Sequence, residues 1–538
     1  MFRTALLTLR TLPHLKRRQI TNRLRRKLVK PRVDTAPVGD PAKLVAEPVA
    51  FIAAPLAYHG GTEFTFLNQR HTLDLPAGWT SPERSKLWRY HLHYFDWLSQ
   101  DPAPDAGAAR AMITRWIDDN PPLSGDGWEP YPISLRLAAW VKWLTLRRAQ
   151  GDRGLEPAQW SSLGLQARVL AQSLEYHLMG NHLWANAKGL IAAGLALAGD
   201  EARGWLDTGR ALLDQQLDEQ VLDDGGHYER SPTYHALLLE DLADLINLSR
   251  AYGEPVPARW VETARAMLAW LVAMTRPDGR LPLFNDAAHG AGPSPQALRA
   301  YAERLGLAVP DAPGDGLVAL ARSGYFRYAA PGWWLVADAG AIGPDHIPGH
   351  AHADMLSFEL SVDGRPLIVD TGTSTYEAGA RRAVERGTAA HNTVEVAGTD
   401  QSEMWGAFRV ARRARLRERH WGNDRLRAAH DGYDRLGVRH ARYFTFAPDA
   451  LTLTDTLTDT RTGRASDAPA VARLHFAPGV RVVQDGATIT ADAVTIQIHG
   501  ADSITLADYH HAPDFNTLVP ARVAEIAFTS RLETRIAR

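Results

Sequence analysis

Between Gly349 and Thr393 the chain gathers residues suited to metal or proton chemistry. Gly349-His350-Ala351-His352-Ala353-Asp354 is followed by an alternating run to Val362. Asp363-Gly364 then signals a hairpin turn. A short apolar strand ends in Asp370-Thr371-Gly372, and His391-Asn392-Thr393 follows a loop rich in Gly, Ala and Arg. Neutral imidazole and carboxylate are the ligands zinc takes in three-ligand sites with an open fourth position. On that chemistry His352, Asp370 and His391 are the candidate metal ligands. His350 is two residues from His352, so on a strand it shares that face and stays free for substrate or proton transfer. Three unrelated polar residues near turns would give the same spacing, and His-x-His alone is a weak signal in a chain with 21 His. A competing metal reading is a non-haem iron oxygenase built on His352, Asp354 and His391. That reading leaves Asp370 without a role.

Two further stretches carry polar residues that packing does not require. In Glu175-Tyr176-His177-Leu178-Met179-Gly180-Asn181-His182, the Gly-Asn pair predicts the end of one helix, with the next beginning near Leu183. Asn181 and His182 would then sit at a helix junction, facing a cleft or simply capping a helix. In Gly226-His227-Tyr228-Glu229-Arg230-Ser231-Pro232-Thr233-Tyr234-His235, Ser-Pro predicts a helix start. Tyr234 and His235 then fall in the first turn, where the helix dipole lowers the cost of a phenolate. A Tyr simply packed on the next helix would look the same in sequence.

The elements that must hold these residues change character along the chain. From Ser81 to about Val309 the 3.6-residue period dominates. It predicts helices over Leu87–Leu98, Ala108–Ile117, Tyr131–Leu146, Pro157–Leu178, Leu183–Ala198, Ala202–Gln216, Pro232–Tyr252, Pro257–Met274 and Pro295–Leu305. Successive helices with short connections predict an all-α half, arranged as hairpins in an (α/α) toroid. From Leu317 onward β-branched and aromatic residues alternate with polar ones, which predicts an antiparallel β-sandwich with no helix. The expected divisions are a basic segment and linker over 1–60, a toroid over 61–314 and a sandwich over 315–538.

Composition narrows the partners. At 538 residues, 45% apolar and 22% charged, this is an ordinary globular composition too long for one simple core. A net charge of −1 gives no advertisement for nucleic acid, and none is expected. With no Cys there is no disulfide and no thiolate metal site. Residues 1–31 carry ten Lys and Arg but no apolar run long enough for a signal peptide. They read as a solvated basic helix or as an amphipathic segment making peripheral contact with an anionic membrane or polymer. The expected compartment is the cytoplasm or periplasm of a bacterium.

Taken together and in order, Asn181-His182-x-x-x-Asn186, Gly226-His227-Tyr228-Glu229-x-Ser231-Pro232-x-Tyr234-His235, His350-x-His352-x-Asp354, Asp370-Thr371-Gly372 and His391-Asn392-Thr393 are far more specific than any one alone. The chain resembles the heparinase II/III-like polysaccharide lyases, a family that includes oligoalginate lyases, over roughly residues 80 to 530. The resemblance implies an incomplete (α/α) toroid followed by an antiparallel β-sandwich, with the active site between them. It implies cleavage of a uronic-acid-containing polysaccharide or oligosaccharide, a glycosaminoglycan or bacterial exopolysaccharide, by β-elimination. It implies catalytic roles for Asn181, with His182, as carboxylate neutraliser, for Tyr234 as proton donor, for His350 as base and for Tyr376 as a second Tyr. It implies a structural zinc on His352, Asp370 and His391, and substrate contacts from Tyr228, His235, Arg386 and Trp405. The basic leader lies outside the family core, and the chain looks more like the branch tied to surface-polysaccharide synthesis than like the degradative enzymes. The non-enzymatic alternative is a glycan-binding or biosynthesis-associated protein that keeps the cleft without its chemistry.

Overall fold

The computed structural model describes residues 2–538. Two short helices, Phe2–Thr11 and Arg17–Leu28, precede an extended segment and a small three-stranded antiparallel sheet over Tyr58–Gly60, Glu63–Phe66 and Gln69–Thr72. Sequence periodicity does not reveal this sheet, because its strands are only three or four residues long. Phe64 and Phe66 of its middle strand are buried against the helical core.

Helices then run from Lys86–Tyr94 to Pro295–Arg304 and form an incomplete (α/α) toroid. Trp88, Trp116, Trp140, Trp184, Trp260 and Trp270 are all buried in its core, so much of the aromatic content fills space. Close helix contact is enforced by small residues. A Cβ added at Gly194 would stand 2.6 Å from Leu206 N, so the hairpin of Asn181–Ala196 and Asp200–Gln220 needs glycine there. Several helix bounds differ from expectation: the helix expected to reach Leu98 ends at Tyr94, and the one expected to end at Gln216 reaches Gln220. The helix starting at Pro157 stops at Gln172 rather than reaching Leu178. Asn181 opens a helix instead of following the end of one: Gly180, at φ +55°, is the residue before its first turn.

The second half is an antiparallel β-sandwich. One layer is a five-stranded meander from Gly316–Leu320 to Arg365–Ile368. The other is a ten-stranded sheet whose centre is the pair of long strands Val494–Asp514 and Thr517–Ala537. Strand Val438–Ala447 alternates buried and half-exposed residues along its length, as a strand covered on one face should. Phe326, Leu335 and Phe358 of the first layer share a core with Phe444, Ile526 and Ile536 of the second. The expectation of no helix in this half is corrected by Ala380–Arg386. That helix points Arg382 and Arg386 inward, where both are about 1% exposed.

The halves are tied by polar contacts beside the cleft. Arg276 donates to Glu359 at 2.9 Å in a buried pair, and the Tyr325 hydroxyl donates to the Arg230 carbonyl at 2.6 Å. The loop through Asn285 and Asp286 is the closest seam: Asp286 N donates to the His350 carbonyl at 3.0 Å, and His352 N donates to Asn285 Oδ1 at 2.9 Å.

Candidate active site

Tyr234 stands in the first turn of helix Pro232–Ala251, whose N-cap Ser231 accepts from Tyr234 N. The Ser231 hydroxyl in turn donates to the Asp286 carbonyl at 2.6 Å, so the helix start is fastened to the interdomain loop. Asn181 is brought alongside by the tight approach at Gly180. A Cβ there would meet Ile347 Cδ1 at 2.6 Å and Glu229 Oε1 at 2.9 Å. From the β half, His350 stacks on the Tyr234 ring with centroids 3.9 Å apart. Its Nε2 is 3.5 Å from Asn181 Nδ2. The Tyr376 hydroxyl lies 3.2 Å from that of Tyr234. Four of the five expected catalytic residues, Asn181, Tyr234, His350 and Tyr376, therefore meet in one place. His182 stands beside them with its Nδ1 3.2 Å from Glu175 Oε2 and its ring 4.5 Å from that of Tyr131.

A residue that sequence reasoning missed organises this group. Asp286 accepts from His350 Nδ1 at 2.9 Å, from His352 Nε2 at 2.8 Å and from both terminal nitrogens of Arg382. Burial alone would raise its carboxyl, but Arg382 and the two imidazoles outweigh that and hold it well below the usual carboxylate range. An anionic Asp286 can only accept, so His350 Nδ1 carries a proton. In the neutral ring the lone pair then sits on Nε2, facing Asn181. The available signal was two polar residues, Asn285-Asp286, set between the buried pairs Leu283-Phe284 and Ala287-Ala288. Glu229 was visible in the motif but unassigned. It is buried, its Oε1 accepts from Asn181 N at 3.4 Å, and its Oε2 is 3.8 Å from His350 Nε2.

Burial pushes the phenols of Tyr234 and Tyr376 well above their ordinary value, so both stand protonated at neutral pH. A cavity of about 570 Å³ opens beside Tyr234, lined among others by Asn181, Tyr131, Lys188, Asp241 and Phe515. That volume is within the usual range for ligand clefts.

The four expected substrate contacts are placed differently. His235 is fully buried: it donates from Nε2 to the Met267 carbonyl at 3.0 Å and packs on Trp270. Arg386 is buried too, its guanidinium donating to the carbonyls of Ala351 and Ala407 at 3.0 and 3.1 Å. Both hold backbone in place and lie out of a substrate's reach. Trp405 donates from Nε1 to Thr11 Oγ1 at 3.2 Å and is flanked by Arg409, so the first helix covers it. Tyr228 is buried, with a hydroxyl that has no hydrogen-bond partner among the described residues.

The expected metal ligands cluster behind His350. Among the described residues no group of three or more His, Asp or Glu is arranged to hold a metal ion. Asp370 Oδ2 instead accepts from His391 Nδ1 at 2.7 Å. Three buried polar atoms around that pair have no hydrogen-bond partner among the described residues: His352 Nδ1, His391 Nε2 and Asp354 Oδ2.

Comparison with known proteins agrees with this architecture. The family model described as "Heparinase II/III N-terminus" matches residues 79–304, and "Heparinase II/III-like, C-terminal" matches residues 312–537. The chain is 25% identical over 331 residues to a heparin-sulfate lyase of Bacteroides stercoris, covering 56% of this chain and 48% of that protein. It is 32% identical over 341 residues to FtsZ-localized protein C of Caulobacter vibrioides, covering 61% of this chain and 55% of that one. The chain thus spans about half the length of the curated relatives it matches. The crystal structure of heparinase III superposes with a TM-score of 0.68 at 19% identity, over 87% of this chain and 80% of that one. Heparan sulfate lyase HepC of Pedobacter heparinus superposes with a TM-score of 0.58 at 19% identity, over 96% and 87%. At those identities the likeness speaks for the fold. With both family models matched in order along a toroid and a sandwich, the chain belongs to the heparinase II/III-like family.

Proposed function

We propose that the protein is a polysaccharide lyase that breaks the C4–O4 bond of a uronic acid residue by β-elimination. The observation that carries this reading is the Asn181–Tyr234–His350 cluster, built from both halves across the cleft. Elimination has three requirements: a neutraliser for the uronate carboxylate, a base for the C5 proton and an acid for the leaving O4. Asn181 Nδ2 donates to the carboxylate and makes the C5 proton more acidic. His350 Nε2 takes that proton, with Asp286 steadying the imidazolium that forms. Tyr234, kept protonated by burial, gives its proton to O4 and recovers one from solvent or from His350 through the adjoining Tyr376. A screen of acidic polysaccharides for the absorbance of a new C4=C5 double bond tests the reading. Oligosaccharide binding without unsaturated product from any uronate polymer would replace it with the glycan-binding alternative.

Asn181→Ala should lower the rate of elimination by about 10²–10³-fold while the fold is kept, the usual loss on removing one donor to a developing oxyanion. Product formation under saturating polymer, with a melting curve as control, measures this. A rate within a few-fold of the parent would move the neutralising role to His182.

Zinc is the proposed resident metal, held by His352, Asp370 and His391. Support comes from donor type and from the unpartnered His352 Nδ1 and His391 Nε2; Asp370 accepts from His391 Nδ1 and Gly372 N, so it would have to turn from them to ligate the same ion. The Asp286–His352 hydrogen bond is also the carboxylate–histidine pairing that orients metal-bound imidazoles. When bound, the ion would supply a fixed positive charge behind the His350 loop, and the proton transfers remain with side chains. Chelation should lower the melting temperature, because metal binding is linked to folding. Unchanged melting in metal-free protein would leave Asp370–His391 as a hydrogen-bonded pair alone. Iron bound through Asp354 would favour the oxygenase reading.

A further inference from the structure

The two N-terminal helices lie outside both family regions, and the lyase chemistry makes no use of them. Their inner faces are fastened to both halves of the protein. Arg10 pairs with Glu403 at 2.8 Å, and Thr11 accepts from Trp405. Gln19 is buried and donates to the His346 carbonyl at 3.1 Å, and Arg18 lies 3.7 Å over the Tyr176 ring. Leu7, Arg10, Thr11 and His14 form the inner side of the first segment; Gln19, Asn22 and Arg26 form that of the second.

The opposite faces carry uncovered apolar side chains among the basic ones. Ile20, Leu24 and Leu28 recur every four residues, a single stripe on the second helix. They are 45%, 57% and 84% exposed, and Leu9 on the first helix is 64% exposed. Of seventeen large hydrophobic residues exposed in the described chain, seven fall between Leu6 and Val29. A solvated basic helix has no reason to concentrate leucine on its outer face, since uncovered apolar surface of this kind marks a docking site. Charge names the partner. Residues 1–31 hold ten Lys and Arg and no Asp or Glu. Arg17, Arg25 and Lys27 lie beside the stripe and are exposed. Leucine on one face and cations along its edges is the pattern that seats a helix at the boundary between headgroups and acyl chains of an anionic bilayer. A helix lying flat suffices, and none of the described helices is long and apolar enough to cross a membrane.

We propose that Phe2–Thr11 and Arg17–Leu28 form a docking surface for an anionic phospholipid membrane, holding the folded protein on that surface. The proposal is independent of turnover in the cleft. The experiment is flotation of the full chain with vesicles of phosphatidylcholine alone or mixed with phosphatidylglycerol. The protein should float with the anionic vesicles, stay behind with the neutral ones, and be released as salt rises. Replacing Leu9, Leu24 and Leu28 together by Glu should weaken partitioning by at least about tenfold, since apolar area is lost and like charge is gained. The three side chains are exposed, so melting should be unchanged. Should that variant unfold, Arg25→Glu with Lys27→Glu makes the same test through charge alone. Failure to float with phosphatidylglycerol vesicles at low salt would overturn the proposal, as would flotation that both variants leave intact. Retention on an anionic polymer without vesicle binding would also overturn it and reassign the face to a polyanion.

Discussion

Tyr234→Phe should remove elimination while leaving the polymer bound. The substitution keeps the ring that stacks on His350 at 3.9 Å and deletes only the hydroxyl. That hydroxyl is a protonated group placed to serve the leaving oxygen from the helical side, with Tyr376 3.2 Å behind it. Loss of a positioned general acid costs about 10²–10⁴-fold, and departure of an unassisted alkoxide puts this site at the upper end. The measurement is initial rate of unsaturated product beside a binding isotherm for the same variant. Turnover near the parent rate with unchanged affinity would take the acid role from Tyr234 and give it to Tyr376. The complementary variant, Tyr376→Phe, should be milder, since it alters how Tyr234 is reprotonated and leaves the donor in place.

Asp286→Ala should damage stability and activity together. The carboxylate is fully buried and answers a buried guanidinium and two imidazoles. Removing it leaves Arg382, about 1% exposed, as an uncompensated internal charge. Breaking such a pair on one side costs about 3–5 kcal/mol, because the surviving charge keeps its desolvation penalty without its partner. His350 loses the acceptor that fixes its tautomer, so elimination should fall even in molecules that stay folded. Asp286→Asn separates the two effects, since it keeps the shape and one acceptor but cannot balance Arg382. Denaturant unfolding with rate measurement on the folded fraction checks both, and an Ala variant as stable as the parent would show that Arg382 finds another counter-ion.

The same group fixes a direction for pH. The folded pKa of Asp286 is depressed, so its contribution is present above the unfolded carboxylate value of about 3.9 and is lost as pH falls towards the folded value. Buried neutral histidines act earlier. His93, His235 and His475 are pushed down to about 3 by burial, so between their unfolded value near 6.5 and that point the unfolded chain binds more protons. These histidines should therefore draw stability down as pH is lowered below about 6.5, before depressed carboxylates such as Asp286 begin to titrate.

How much of this was legible follows from the range over which each feature is encoded. The order of helical half and strand half was readable because a period of 3.6 or 2 is written in neighbouring residues. The helix start at Pro232, with Tyr234 in its first turn, was readable because capping is also local. Asn181, Tyr234 and His350 stood out as polar residues where packing asked for none, although the Gly180-Asn181 pair was misread as an ending. Its direction depends on Ile347 and Glu229 pressing on Gly180, and neither is a neighbour in sequence. Short elements stayed hidden, both the sheet at 58–72 and the helix Ala380–Arg386, because a few residues hold no more than about two periods, too few to show a pattern. Only the tertiary structure decided which polar residues share a site. Asp286 meets His350 across 64 positions and Arg382 across 96, and Trp405 is covered by Thr11 from 394 positions away. The chemical type of each side chain was set in the sequence. Whether it faces a cleft, a carbonyl or the core was set by packing between segments with no local signature of each other, and so His235 and Arg386 prove structural while Asp286 holds the site.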